Sequence, residues 1–213
     1  MMHNGKIAFI ICVNDDLYYQ ECLFYLNRLY LPKGYELEVY PVRQAQSIYQ
    51  GYQQAMVQAD AAYKIYMHQD VFLISPNFLN EMLDLFERHP RAGLAGVLGA
   101  RQISQERRFY RSWDLGNVIG CSEKKAFQNK LDCCEAQAEC LDGMLLMTKE
   151  DLPWREDVLK GWDFYDISQS LEYRKAGYEM WVPAQENPWC IHDCGYLNLT
   201  NYDEAQAEFL KIY

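Results

Sequence analysis

No apolar run in this 213-residue chain is long enough to cross a membrane. The most apolar stretch near the start, Ile7 to Val13, runs straight into Asn14-Asp15-Asp16. A span needs about 20 apolar residues, and a secretory signal needs a longer apolar region with a small-residue cleavage site. Neither a transmembrane segment nor an export signal is therefore expected, and the expected location is cytoplasmic. Basic charge is also scarce, since 20 Lys and Arg face 30 Asp and Glu for a formal net charge of −10. Without a basic footprint to displace counterions, nucleic-acid binding is not expected, and adhesion to an anionic membrane face is disfavoured. A diphosphate ligand would need a metal ion or a local Arg to offset repulsion. The turn after the first apolar run carries no glycine and two acids, which excludes a Rossmann pyrophosphate turn, and no P-loop is present. Eight cysteines occur, yet neither Cys133-Cys134 with Cys140 nor Cys190-x-His192-x-Cys194 repeats the paired spacing of structural zinc sites. Reduced thiols are the expectation, although on a strand Cys190, His192 and Cys194 would share one face.

Strand and helix signals, by contrast, alternate. A strand over 6–13 precedes a helix from Leu17 to Leu31, stopped by Pro32-Lys33-Gly34. A strand from Glu36 to Val42, a helix from about Ser47 to Asp60 and a strand over 63–67 follow. Ser75 as N-cap and Pro76 in the first turn open a helix that runs to about Arg88, and Gly93 to Gly99 reads as one central strand. This order predicts an α/β fold with a mostly parallel central sheet flanked by helices, as one domain over 1–213. From Ala100 to Cys140 the periodicity breaks, and Arg101, Arg107, Arg108 and Arg111 cluster there. So long an irregular connection reads as a functional flap. Order resumes with Leu141 to Met147, a helix over Asp163 to Lys175 closed by Ala176-Gly177, a strand from Tyr178 to Val182, and a last helix near Asp203 to Ile212.

Two constellations carry chemistry. In Tyr63-Lys64-Ile65-Tyr66-Met67-His68-Gln69-Asp70 an apolar strand ends in a polar triplet. Ligands of open α/β sheets bind at the carboxyl ends of parallel strands, and a carboxylate there can hold a divalent cation that clamps a diphosphate. A plain strand cap is the structural alternative. The second constellation is Gly161-Trp162-Asp163-Phe164-Tyr165-Asp166. On a helix, Asp163 and Asp166 would share a face, beside aromatic rings suited to a sugar; helix-start acids are the structural alternative.

In order along the chain come the Val13-Asn14-Asp15 turn, Ser47, His68-Gln69-Asp70, Leu141-Asp142-Gly143-Met144, Trp162 to Asp166, and Arg174-Lys175-Ala176-Gly177-Tyr178. This order resembles the family 2-like glycosyltransferases of the GT-A fold, in a branch whose Asp-x-Asp motif begins with His. The resemblance covers roughly residues 6 to 194. It implies a nucleotide-sugar half at about 1–99, with Val13, Asn14, Asp15, Ser47, His68, Gln69 and Asp70 at the donor, and an acceptor and lid half at about 100–213. It implies that Asp70, with His192, ligates Mn²⁺ or Mg²⁺, an imidazole ligand favouring Mn²⁺. It also implies that Asp166, counted back from Gly177, is the catalytic base, with Asp163 beside it. Trp113, Trp162 and Tyr165 are the candidate acceptor contacts. The sequence departs from the family at Gln69, at Tyr165 (where Glu is usual) and at Ser168.

The implied activity is metal-dependent inverting transfer of a sugar, of hexosyltransferase type. The donor would be a nucleoside diphosphate sugar, a UDP-sugar by preference, and the acceptor a carbohydrate or lipid-linked hydroxyl. A catalytically silent nucleotide- or sugar-binding module stands as the second reading, kept alive by those departures. A nucleotidyltransferase stands as the third, although it would want a Gly- and Lys/Arg-rich loop after the first strand.

Overall fold

The computed structural model describes residues 5–103, 109, 112–122, 125–195 and 199–213. The chain begins β1 (Lys6–Val13), α1 (Asp16–Leu26), β2 (Glu36–Arg43), α2 (Ile48–Gln58) and β3 (Tyr63–His68). It continues through β4 (Val71–Leu73), α3 (Phe78–Arg88), β5 (Ala92–Gly96), β6 (Leu98–Ala100), β7 (Leu115–Ser122) and β8 (Lys125–Lys130). Then come β9 (Ala136–Ala138), β10 (Cys140–Leu141), β11 (Leu145–Thr148), α4 (Tyr165–Lys175), β12 (Glu179–Val182), β13 (Cys190–Gly195) and α5 (Tyr202–Phe209).

A 7-stranded sheet in the order β2-β1-β3-β11-β5-β12-β9 forms the centre. Strands β2, β1 and β3 run parallel, as do β5 and β12, while β11 lies antiparallel between β3 and β5. The α/β class and the central sheet expected from strand–helix alternation are thus present. A strand with helices on both sides must be apolar on both faces, and β1 shows this. Its Ile7, Phe9 and Ile11 pack with α1 and α3, while Ala8 and Ile10 pack with α2 and α4. All five are fully buried, and each large apolar side chain among them contributes about 1.5–3 kcal/mol of burial.

A second sheet, in the order β10-β6-β7-β13-β4 with β8 on β7, stands beside the first. Among the described residues of 100–140, strands replace the expected irregular connection: β7 and β8 form an antiparallel hairpin, and β7 also pairs with β6 and β13. Hydrophobic periodicity misses this hairpin because β8, Lys-Ala-Phe-Gln-Asn-Lys, is almost wholly exposed and has no buried face to pattern. Arg107, Arg108 and Arg111 lie outside the described residues. The run Gly93 to Gly99 is two strands, β5 in the first sheet and β6 in the second, parted at Val97.

Helix boundaries also shift. Helix α1 stops at Leu26, well before Pro32, because Arg28 and Leu29 take the shorter bonds to Tyr25 and Leu26 and Tyr30 N–H donates to the Pro76 carbonyl. Ser75 is not the cap of α3; its carbonyl, not its hydroxyl, receives Phe78 N–H. Helix α4 begins at Tyr165, preceded by Phe164 in the left-handed conformation with φ 60°.

Candidate active site

Strand β3 ends at His68 in the first sheet, paired with Cys12 of β1, and Val71 opens β4 in the second sheet, paired with His192 of β13. Gln69 and Asp70 are therefore the step by which the chain passes from one sheet to the other. The polar triplet lies at that seam because the apolar pattern that keeps β3 buried ends there.

At the seam, His68, Asp70 and His192 bring three ligand-type atoms within 4.8 Å of one another, the one such group found among the described residues. Asp70 Oδ1 is 3.6 Å from His192 Nε2 and 3.9 Å from His68 Nδ1. Two atoms that bind one ion at about 2.1 Å lie no more than about 4.2 Å apart, so both separations suit a shared cation. The side chains are 21–31% exposed, open to an ion from solvent yet held by the protein. Burial and the neighbouring His192 push the His68 imidazole down to about 4, so it is neutral and able to ligate at pH 7. Burial raises the Asp70 carboxyl, and His192 opposes that rise. Two imidazoles and one carboxylate form a mixed N/O donor set, which suits Mn²⁺ better than Mg²⁺.

The turn between β10 and β11 supports this group. Met144 carbonyl accepts from His68 N–H at 3.1 Å, and Asp142 Oδ1 accepts from Met144 N–H at 2.9 Å, closing the turn. Gly143 N–H donates to Asp166 Oδ2 at 3.0 Å, and Ile167 N–H donates to Asp166 Oδ1 at 2.8 Å. Burial raises the Asp166 carboxyl to about 7, and the nearby Asp142 adds to the rise, outweighing those two donors. A carboxyl poised at that value can take a proton at neutral pH.

Other expected site residues have different occupations. Asp15 caps α1 by accepting from Leu17 N–H at 2.8 Å and Tyr18 N–H at 3.3 Å, worth about 1 kcal/mol. Ser47 caps α2 through Gln50 N–H at 3.2 Å. Gln69 Oε1 accepts from Asn14 and Asp15 N–H at 2.9 and 3.0 Å, and its amide donates to Asn14 Oδ1, so Gln69 ties down the turn after β1. Asp163 is not on a face of α4 with Asp166, because the left-handed Phe164 separates it from the helix; its carbonyl accepts from Tyr49 Oη at 2.9 Å. Tyr165 is 6% exposed and its hydroxyl bonds His68 Nε2, which makes it a support beneath the histidine and not an open acceptor contact. Trp113 packs half-buried against the core cluster of α1 and α3. Trp162 is 52% exposed.

Sequence reasoning missed Asp193, whose N–H donates to Asp70 carbonyl at 2.9 Å and whose carboxylate accepts from Tyr18 Oη at 3.3 Å. Its position next to His192 was the available signal. It also missed Gly143 as the meeting point of two site residues, although the Asp142-Gly143-Met144 motif was in view. Cys190, His192 and Cys194 do not act as a set: Cys190 is fully buried, Cys194 is exposed, and His192 turns to Asp70.

Two cavities flank Trp162. One, of about 130 Å³, is lined by Cys12, Val13, Asn14, Val42, Gln44 and Ala45 at the ends of β1 and β2. The other, of about 470 Å³, runs past Tyr49, Val158, Asp163, Asn201 and Glu204. No helix among the described residues is long and apolar enough to cross a membrane.

Comparison with known proteins bears on this site. A family described as "Glycosyltransferase like family" matches residues 8–213. Among solved structures, the mannosyltransferase PcManGT from Pyrobaculum calidifontis, in complex with GDP-Man and Mn²⁺, superposes with a TM-score of 0.61 at 12% identity, over 97% of this chain and 63% of that one. S. aureus TarS gives 0.57 at 11% identity, over 96% and 70%. A mutant Drosophila β-1,4-galactosyltransferase 7, complexed with manganese, UDP-Gal and xylobiose, gives 0.54 at 13% identity, over 93% and 73%. At such identities the likeness is one of fold. No curated protein matches the chain.

Proposed function

Because the chain belongs to the glycosyltransferase-like family, we propose that it moves a sugar from a nucleoside diphosphate donor to a hydroxyl acceptor with inversion, using a divalent metal at His68, Asp70 and His192 and Asp166 as general base. The observation that carries this reading is the convergence of three metal-ligand side chains from two sheets beside a carboxyl whose proton affinity matches neutral pH.

In this reading the 130 Å³ cavity at the ends of β1 and β2 takes the nucleobase. Gln69 keeps the Asn14-Asp15 turn in place beside it. A metal bound at the trio would neutralise charge growing on the leaving diphosphate. Asp166 accepts the acceptor's hydroxyl proton, and its two backbone N–H donors hold the carboxylate in position for that transfer. The 470 Å³ cavity takes the acceptor, a carbohydrate ring against Trp162 with Asp163 at its polar edge.

The silent-binder reading has one observation in its favour. Ser168, where the family commonly carries an acid, is 1% exposed and bonded to the Tyr213 hydroxyl, so it has nothing to offer an acceptor. Calorimetric titration with UDP and GDP, with and without Mn²⁺, followed by a turnover screen over saccharide acceptors, separates the readings. Metal-dependent UDP binding with turnover is the expected result. Binding without turnover on any acceptor would favour the binder, and no metal-dependent binding would overturn the proposal.

A further inference from the structure

One departure from the family pattern meets the polar triplet in space. His68 opens that triplet, as in the branch the sequence resembles, and Tyr165 stands where the family usually carries Glu. The Tyr165 hydroxyl is in hydrogen-bond contact with His68 Nε2, leaving Nδ1 as the ring nitrogen that faces Asp70 at 3.9 Å. We propose that Tyr165 is a positioning residue for the metal centre: its oxygen accepts the Nε2 hydrogen of His68, which fixes the tautomer that turns the Nδ1 lone pair toward the ion. The inference rests on the metal-site reading above and adds to it the residue that makes the histidine competent.

Three observations carry it. A neutral imidazole has one N–H and one lone pair, so whatever holds one nitrogen decides what the other can do. A ligating histidine generally donates its remaining N–H to a fixed oxygen, and here Tyr165 supplies that oxygen. Its ring has no freedom to leave. It is 6% exposed, wedged against Tyr52, Trp154 and Tyr49, with ring centroids 6.0, 6.3 and 6.5 Å away. Finally, the turn between β10 and β11 makes room for the hydroxyl. A Cβ on Gly143 would lie 2.2 Å from Tyr165 Oη, so only glycine lets the two side chains meet.

The same glycine also holds Asp166 through its N–H, and Met144 beside it holds the His68 backbone. Metal ligand, positioning tyrosine and base are thus indexed to one three-residue turn. Tyr165 and Asp166 are consecutive at the start of α4, so a shift of this helix start moves both.

The test uses Tyr165→Phe and, reaching the same bond from the other side, Gly143→Ala, with Tyr52→Phe as a control on the same aromatic cluster, since the Tyr52 hydroxyl makes no hydrogen bond among the described residues. Mn²⁺ alone is titrated by calorimetry, and the His68 ring nitrogens are read by ¹⁵N NMR in metal-free protein, with circular dichroism to confirm folding. Wild type should show the hydrogen on Nε2. Tyr165→Phe and Gly143→Ala should show mixed tautomers and bind Mn²⁺ about 10- to 100-fold more weakly, while Tyr52→Phe matches wild type. An unchanged tautomer and affinity in whichever of the two variants folds would overturn the inference, as would a wild-type hydrogen on Nδ1. If wild type binds no Mn²⁺, the metal reading itself fails, while the NMR result still decides whether Tyr165 sets the tautomer.

Discussion

Residues 5–100 and the remainder of the chain reach the same seam by different routes. The first region builds long parallel ladders: β1 pairs with β2 over its whole length and with β3 from Ile7 to Cys12, so His68 and the turn after β1 emerge side by side at one sheet edge. Register alone places them. The second region has short strands that change direction often, and its site residues arrive by tertiary contact. His192 comes in on β13 against β4, and Asp166 is brought up by a helix whose start is set by the Gly143 turn. In the proposed reading the first region supplies a fixed floor for a donor. In the same reading the second supplies the groups adjusted against it: His192 as a metal ligand, Asp166 as the base and Tyr165 as its neighbour in support.

The sharpest way to break this division is Asp166→Asn. If the second region supplies the base, turnover should fall by at least about a hundredfold while Mn²⁺-dependent UDP affinity stays at the wild-type value. The pH profile adds an independent check. Burial raises the Asp166 carboxyl to about 7, so the active, ionised form is lost as pH falls through that value. Wild-type kcat/KM should drop about tenfold per pH unit below it, and the residual rate of the variant should lose that dependence. A wild-type profile flat from pH 5 to 8 would remove Asp166 from the role.

Asp70→Asn and His192→Ala test the floor and the seam together. Even a partner outside the ligand set is worth about 10- to 100-fold in metal affinity, so loss of a ligand should cost at least about a hundredfold. The two regions predict different accompaniments. The Asp70 backbone belongs to the step between sheets, while its side chain faces the two histidines, so Asp70→Asn should keep the wild-type melting temperature. His192→Ala should show the same loss of Mn²⁺ binding by calorimetry. Retained affinity in either variant would take that residue out of the metal site.

The same division governs what could be read from residues alone. Strands β1, β2 and β3 were legible within a residue, β1 and β3 as apolar runs closed by polar turns, and the His68-Gln69-Asp70 triplet sits at such a closure; α1, by contrast, ends five residues before the expected Leu31. The partner of that triplet was not. His192 lies 122 positions after Asp70, and only the antiparallel pairing of β13 with β4 brings it there; the family resemblance, not spacing, named it. The role of Tyr165 was misread because an aromatic at a helix start reads as a sugar contact, while its burial depends on Tyr49, Tyr52 and Trp154 from elsewhere in the chain. The β7–β8 hairpin was missed for lack of a buried face. Gln69 looked like a charge missing from the metal site, yet its amide closes three bonds with the turn after β1 that a carboxylate, which has no donor, could not all make.

Trp162→Ala probes where the two regions touch, because its exposed ring borders both cavities. Loss of an aromatic stacking partner is worth about 0.5–1.5 kcal/mol, so acceptor KM should rise about 2- to 12-fold with kcat nearly unchanged. Saturation kinetics with a proven acceptor measure this. A fall in kcat at unaltered KM would place the ring at the reacting centre instead.

The mildest expected change decides whether the base has been assigned to the correct acid. Asp163→Asn alters a partly exposed carboxylate that lies outside α4, before the left-handed Phe164, and whose carbonyl, not its side chain, makes the bond to Tyr49. Substitution leaves that backbone bond intact, so the fold should be unaffected. Burial alone raises this carboxyl, whereas the neighbouring Asp142 adds to the rise at Asp166. A solvent-shared charge of this kind is worth less than about 1 kcal/mol, which limits the effect to about fivefold in acceptor KM. The helix geometry expected from sequence would have made the two acids near-equivalent neighbours one turn apart; the bend at Phe164 makes them unequal. Should Asp163→Asn prove inactive while Asp166→Asn keeps turnover, the base lies on the loop and not on α4, and the coupling of base to metal through Gly143 would have no role in the reaction.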